Sequence, residues 1–144
     1  MTEPITIIIP GEAVAWGRAR LGTVNGHAVH FTPKKTRQHE GYLRTMFALE
    51  MAQRGAQATD EAVTMTVIVY RRIPKGASKK KTAAMMAGAL LPTTKPDLDN
   101  YVKAVVDAAN GVIFKDDSQV VAINARKAFD DGQGARTVVT FVVL

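Results

Sequence analysis

The 144-residue chain contains no cysteine. That excludes disulfides, thiolate zinc sites and cysteine nucleophiles, and it accords with a reducing compartment such as the cytoplasm. No apolar run reaches the length needed to span a membrane. The stretch from Met1 to Pro10 has no basic n-region and carries Glu3 ahead of its apolar residues, so it reads as a strand and not as a secretory signal. Acidic residues are missing from two long stretches, residues 13–39 and 62–96. What fills them is basic: Arg18, Arg20, Lys34, Lys35, Arg37, Arg71, Arg72, Lys75, Lys79, Lys80, Lys81 and Lys95 are 12 of the 19 Lys and Arg. The acids then appear together, as Asp97, Asp99, Asp107, Asp116 and Asp117. A solvated surface ordinarily mixes its signs. Two basic arms and one acidic knot, with a net charge of +6, suit a protein that grips phosphates with one set of residues and holds a cation with the other.

The length fits one domain, residues 1–144, and a 47% hydrophobic content supports a core. Ile5, Ile7 and Ile9 alternate with other residues as a first strand. Gly11 to Gly26 reads as a loop leading toward a hairpin whose second strand is Val29 to Thr32. The spacing of Tyr42, Leu43, Met46, Phe47 and Leu49 predicts a helix from Lys34 to Gln53, ended by Gly55. Val63, Met65, Val67 and Val69 mark a strand of eight or so residues, closed by Ile73-Pro74-Lys75-Gly76. Ser78 caps a short helix through the lysine run to Gly88, and Leu90 to Pro96 is a connector. A helix follows from Tyr101 to Asn110, then a strand from Val120 to Phe129, a turn from Asp130 to Gly134 and a last strand from Arg136 to Leu144. Asp131-Gly132 predicts that the final two strands form a hairpin. With no repeat or interdomain linker, the order predicts a single α/β (α+β) domain, a small mixed sheet with packed helices.

The acidic knot begins at Asp97-Leu98-Asp99. In an extended chain, positions i and i+2 point the same way, about 6.6 Å apart. On a helix they diverge by about 200°. The pair therefore predicts extended backbone, favoured by Pro96, with Asn100 as the N-cap of the next helix. Val102, Val105, Val106 and Ala109 give that helix an apolar stripe, and Lys103, Asp107 and Asn110 a polar face. Gly111 is its C′ residue. The helix N-terminus favours a carboxylate or an incoming phosphate, and Lys103 lies one turn in. Of the adjacent Asp116 and Asp117, only one can face a common site if the chain is extended. Clustered carboxylates without cysteine select hard cations, Mg²⁺ or Mn²⁺. Which member of the adjacent pair would join Asp97 and Asp99 stays open at this point.

The run Lys95-Pro96-Asp97-Leu98-Asp99-Asn100, with Lys103, Asp107-Ala108, Gly111 and Asp116-Asp117-Ser118-Gln119-Val120, resembles the signature of the RusA family of Holliday-junction resolvases. The match runs from Lys95 to Val121, about a fifth of the chain. The resemblance implies a small RusA-like homodimer that binds four-way DNA junctions and makes paired symmetric nicks using Mg²⁺ or Mn²⁺. It implies catalytic roles for Asp97, Asp99, Asp117 and Lys103, with the three aspartates as metal ligands whose carboxyl groups converge, Asp116 turned elsewhere and Asp107 in support. It implies a bacterial or phage-encoded protein acting in recombination and repair. Where a family member carries arginines ahead of the acidic motif, this chain has Thr93-Thr94-Lys95-Pro96, so Lys79, Lys80, Lys81 and Lys95 are the expected DNA contacts here, with Arg18 and Arg20 of the glycine-rich loop.

Other residues are assigned plainer roles. His27, His30 and His39 lack metal-binding spacing and are read as structural or surface residues. Trp16 fits a core or interface position better than a wedge in a junction, and the methionines are core filler. No small-molecule cofactor is called for. Two rival readings remain open at this point: a noncatalytic branched-DNA-binding protein, and a metal-dependent phosphohydrolase acting on a small substrate.

Overall fold

Alternation of apolar and polar residues decides which face of the sheet is buried. The computed structural model describes residues 3–14, 20–31 and 34–144. Its main sheet has four strands: β1 (Ile5–Pro10), β4 (Val63–Arg71), β5 (Val120–Phe129) and β6 (Arg136–Val143), in the order β1-β6-β4-β5. Across it, Ile5, Phe141 and Met65 share a row, then Ile7, Val139 and Val67, then Ile9, Thr137 and Val69. All nine are buried. The residues between them, such as Thr6, Ile8 and Thr66, lie on the other face and are exposed, as a period of two requires.

Two helices cover the apolar face. α1 (Lys34–Arg54) buries Thr36, Leu43, Phe47 and Met51, a stripe at helical spacing. It ends at Gly55, whose φ of +63° suits a glycine C′ residue. α3 (Leu98–Ala109) buries Tyr101, Ala104, Val105, Ala108 and Ala109. α1 packs on β1 and α3 on β5, and the two helices pack on each other. Phe47 meets Phe141 edge-on, rings perpendicular and centroids 5.5 Å apart, the geometry aromatic quadrupoles prefer. α2 (Lys79–Met86) buries no residue and sits on the connection between β4 and α3.

The architecture is one small α+β domain with three helices and a mixed sheet. Two expectations need correction. First, β5 and β6 are not partners. β4 lies between them, parallel to β5 and antiparallel to β6. The segment after β5 is a crossing over the end of β4, with the Asp130 amide donating to the Arg71 carbonyl at 2.8 Å. Asp130 Oδ1 accepts from the amides of Gly132 and Gly134, and both glycines have positive φ. Arg136 clamps Asp131 with both terminal nitrogens and stacks over Tyr70, 3.8 Å from the ring centroid. Asp-Gly thus marks a tight reversal, but the strand that fills the gap is chosen by distant contacts.

Second, the segment expected as a loop up to Gly26 contains a strand. β2 (Arg20–Val24) and β3 (His27–Phe31) form a separate hairpin around Asn25 (φ +52°) and Gly26 (φ +79°). Positive φ at both turn positions is the reason Asn-Gly is favoured there.

Candidate active site

α3 starts earlier than its best-looking cap suggests. Asp97, not Asn100, is the N-cap, with extended backbone (φ −68°, ψ 147°), and the helix runs from Leu98. Asp99 therefore lies in the first helical turn, and the Asp97-Leu98-Asp99 piece is not a strand. Its two carboxylates reach one region by another route, because the N-cap and the first turn both border the positive end of the helix. The Asp97 side chain makes no capping hydrogen bond. It faces Lys95 Nζ at 3.8 Å, with both groups well exposed. Asp99 is exposed and enters no hydrogen bond or ion pair among the described residues. Down the same helical face at i+4 spacing come Lys103 and Asp107, with Lys103 Nζ 3.3 Å from Asp107 Oδ2.

The backbone just ahead of Asp97 is held from below. Lys127 Nζ donates to the carbonyls of Thr94 and Pro96, each at 3.1 Å. Lys127 pairs in register with buried Val69, so it projects on the helix-covered face of the sheet, where a strand pattern otherwise calls for an apolar residue. Beside it opens a cleft of about 460 Å³ whose charged lining is Arg71, Arg72, Lys81 and Lys127. Glu12 lies between the two arginines, 3.7 Å from Arg71 and 3.8 Å from Arg72. It also accepts from the Arg72 amide at 3.1 Å. Arg71 hydrogen-bonds the hydroxyl of buried Tyr101 and lies over its ring, which ties the cleft to the first turn of α3. Arg71 and Arg72 belong to the basic stretch 62–96 expected to grip phosphates but were not singled out within it, and Lys127 was not assigned to the site. The signal for Lys127 was a lysine at an apolar strand position.

The expected DNA-contacting lysines divide by place. Lys81 lines the cleft, and Lys79 and Lys80 stand exposed beside it in the first turn of α2. Ser78 Oγ caps that helix by accepting from the Lys81 amide at 3.2 Å. Three cations at the positive end of a helix oppose its dipole, so they are not there for the stability of α2. Arg18 and Trp16 lie outside the described residues, and Arg20 opens β2. His39 is half-buried beside Leu43 and Tyr101, and this partial burial holds its pKa below the usual 6.5.

The Asp116-Asp117 pair occupies a different end of the molecule. A 3-10 turn, Asp117–Gln119, precedes β5 and packs against α3. Asp116 is its N-cap. The Asp116 carboxylate accepts from the amide and hydroxyl of Ser118, which holds it below the ordinary carboxylate range. Gln119 closes the reciprocal bond by accepting from the Asp116 amide at 2.8 Å. Its own amide donates to the carbonyls of Thr59 and Glu61. Lys115 pairs with Asp60 at 2.8 Å. Asp116 is thus spent on the turn, and Asp117 is exposed.

This placement separates Asp117 from Asp97 and Asp99 within one chain. The 3-10 turn abuts the start of β4 and β5, whereas Asp97 abuts the far end of β5 through Lys127. From Val120 to Lys127 the strand rises about 23 Å. From Asp97 to Ala109 the helix rises about 18 Å. Among the described residues no three carboxylate or imidazole groups stand together as a cation site. The expected convergence of Asp97, Asp99 and Asp117 is therefore not met inside a single subunit. The pair Asp97 and Asp99 still suits a hard cation: both are exposed oxygen donors at a helix N-terminus, and Mg²⁺ commonly uses one or two carboxylates with waters and substrate phosphate.

Known proteins place the chain. The family model described as Endodeoxyribonuclease RusA matches residues 10–141, nearly all of it. A protein of Bacillus subtilis (strain 168) bearing the name Uncharacterized protein YqaN is 43% identical over 130 residues, covering 88% of this chain and 89% of its own.

Proposed function

This chain belongs to the RusA family of endodeoxyribonucleases, Holliday-junction resolvases that hydrolyse phosphodiester bonds, and on that premise we propose that it nicks four-way DNA junctions at the N-terminus of α3 with a divalent cation. The observation that carries the reading is the exposed pair Asp97 and Asp99 beside a cleft lined by Arg71, Arg72, Lys81 and Lys127. Cations there bind the phosphates of an incoming strand and set its register without reading sequence. The exposed Lys79, Lys80 and Lys95 extend the basic surface, and Arg18 and Arg20 are the further phosphate contacts proposed from the sequence.

Asp97 and Asp99 would hold Mg²⁺ or Mn²⁺, and Asp117, at the other end of the β4–α3–β5 unit in its own chain, would complete the set only across a homodimer. When bound, such an ion supplies Lewis acidity at the scissile phosphate and lowers the pKa of a water that attacks it. Lys103, one turn below Asp99, orients the phosphate and offsets charge that grows on its oxygens. The first amides of α3 point toward the same place and favour an anion there. Lys127 fixes the connector carbonyls, so the carboxylates stay in position when the strand arrives. A two-fold homodimer presents two equal sites to a junction with two equal strands, which gives paired symmetric nicks. The setting is recombination and repair in the cytoplasm of a bacterium, with the gene carried by the bacterium or a phage.

The test is to incubate the protein with a labelled four-way junction and with linear duplex, in Mg²⁺ or in EDTA. Junction-selective nicking that EDTA abolishes supports the proposal. Tight junction binding with no nicks supports a noncatalytic binder. Equal cutting of duplex and junction contradicts junction selectivity.

A further inference from the structure

The cleft beside the N-terminus of α3 is cationic only at its rim. Its floor is apolar, with Met85, Leu90, Leu91 and Phe129 among the residues that line it. Leu90 and Leu91 are 41% and 58% exposed, so apolar surface stays open to solvent where the basic residues gather. Sheet register builds part of the cleft. Phe129 pairs with Arg71, two residues on from the pair of Lys127 and Val69, so an aromatic ring and two cations share one face of the sheet.

The cations of the cleft divide by what they already hold. Arg71 is bonded to the Tyr101 hydroxyl, and Lys127 donates to two carbonyls, so both brace the walls. Arg72 and Lys81 are exposed. The Arg72 guanidinium faces Glu12 at 3.8 Å, a loose surface contact that a phosphate displaces at little cost. On the connector wall, the Thr93 and Thr94 hydroxyls make no hydrogen bond among the described residues, and each can donate and accept. A duplex cannot use an apolar floor, because its ring faces are stacked on one another and it offers a protein only edges and phosphates. A base that has left the stack offers its face. The volume of about 460 Å³ lies within the range of about 300–1,000 Å³ that holds a small organic ligand.

We propose that the cleft holds one unstacked nucleotide of the bound strand, its base over Leu91 and Phe129 and its phosphate between Arg72 and Lys81. The inference rests on the proposed nuclease reading for the identity of the strand, and it gives that reading a source of selectivity. Extruding a base costs least where stacking is already interrupted, as at the crossover of a four-way junction. Linear duplex has no such point and forgoes the contact. Thr94 on the cleft wall is three residues, at most about 10 Å, from Asp97, and stacked nucleotides rise about 3.4 Å each. The nucleotide so held therefore lies within about three positions of the nick.

Two measurements in EDTA test it, and neither needs nicking. In the first, the methyl groups of the six methionines of the full chain are labelled with carbon-13, and the Met85 signal is identified from Met85→Leu. A five-nucleotide thymidine oligomer is titrated in, and separately a five-unit abasic oligomer with the same phosphates. The expected result is a shift of the Met85 methyl with the thymidine oligomer that the abasic one does not reproduce, while the buried Met51 and Met65 stay still. A Met85 signal that the thymidine oligomer leaves in place, or that both oligomers move equally, overturns the proposal. In the second, Leu91→Ser changes the floor and keeps every charge. Fluorescence anisotropy compares its binding to a four-way junction and to linear duplex. The ratio of junction to duplex affinity should fall about ten-fold, on the scale of one lost base contact, with the slope of log K against log salt unchanged. An unchanged ratio overturns the proposal. Failure of the nuclease reading is seen separately, as wild type that leaves the junction uncut in Mg²⁺ while both results in EDTA stand.

Discussion

The two ends of the β4–α3–β5 unit use the same residue types for different ends. At the start of the strands, charge is consumed locally: Asp116 by Ser118, Lys115 by Asp60 and the Gln119 amide by two carbonyls. At the far end, Asp97 and Asp99 are exposed at a helix N-terminus, and the cations around them face a cleft. An aspartate whose oxygens already accept hydrogen bonds from its own turn braces the chain. An aspartate held on rigid backbone with no such bonds is available to a ligand. The difference lies in what the neighbouring residues leave unsatisfied, and it can be broken by substitution at either end.

The sharpest contrast is within the adjacent pair. Asp117→Asn is expected to lower junction nicking about 10³-fold, the scale of losing a metal-borne charge term. Asp116→Asn keeps a side-chain oxygen for Ser118 and should leave nicking within about two-fold. Gel-based nicking rates compare them directly, and equal losses would erase the distinction between the brace and the ligand.

Lys127→Met removes the donor to Thr94 and Pro96. Because the partly buried Pro96 carbonyl then lacks a partner, the fold should lose about 1 to 2 kcal/mol. Nicking should fall about 10- to 100-fold as Asp97 loses its fixed position. Urea unfolding and nicking rates measure the two effects separately. Arg72→Ala and Lys81→Ala act more weakly. Each should reduce junction affinity and lower the slope of log K against log salt by about one, measured by fluorescence anisotropy across a salt series. Unchanged slopes would remove the cleft from the DNA path.

The smallest effect concerns His39. Burial holds its pKa below 6.5 in the folded chain, so the unfolded chain binds the proton first as pH falls. The stability tied to the neutral ring is complete above about pH 6.5 and is lost as pH falls from there through the folded value. Thermal unfolding across that range should show an acid-side decline that His39→Gln reduces, without change in nicking at neutral pH.

Much of this was readable from residue order. Periodicity placed α1 to within one residue of its end, and alternation placed β4, β5 and β6. The Ser78 cap and the Gly111 helix stop are both present, with Gly111 at φ +80°. The failures share a cause. Asn100 and Asp97 are equally good caps by type, and Asp97 holds the position, where Lys127 pins the carbonyl of Pro96. Asp131-Gly132 predicts a reversal, but whether the strands that flank it pair depends on β4, far away in sequence. Arg71, Arg72 and Lys127 come together only through sheet register and the packing of Tyr101. The convergence of three aspartates was implied by the resemblance, and a sequence motif carries no information on which end of a helix a later turn returns to.

The central claim is that the N-terminus of α3 performs chemistry and that the surrounding cations perform binding. Asp97→Asn tests it most directly when junction affinity and nicking rate are measured on the same preparation in Mg²⁺. The account predicts affinity within about two-fold of wild type and nicking lowered about 10³-fold. Nicking that survives within about ten-fold, or affinity that falls in step with it, would contradict the account.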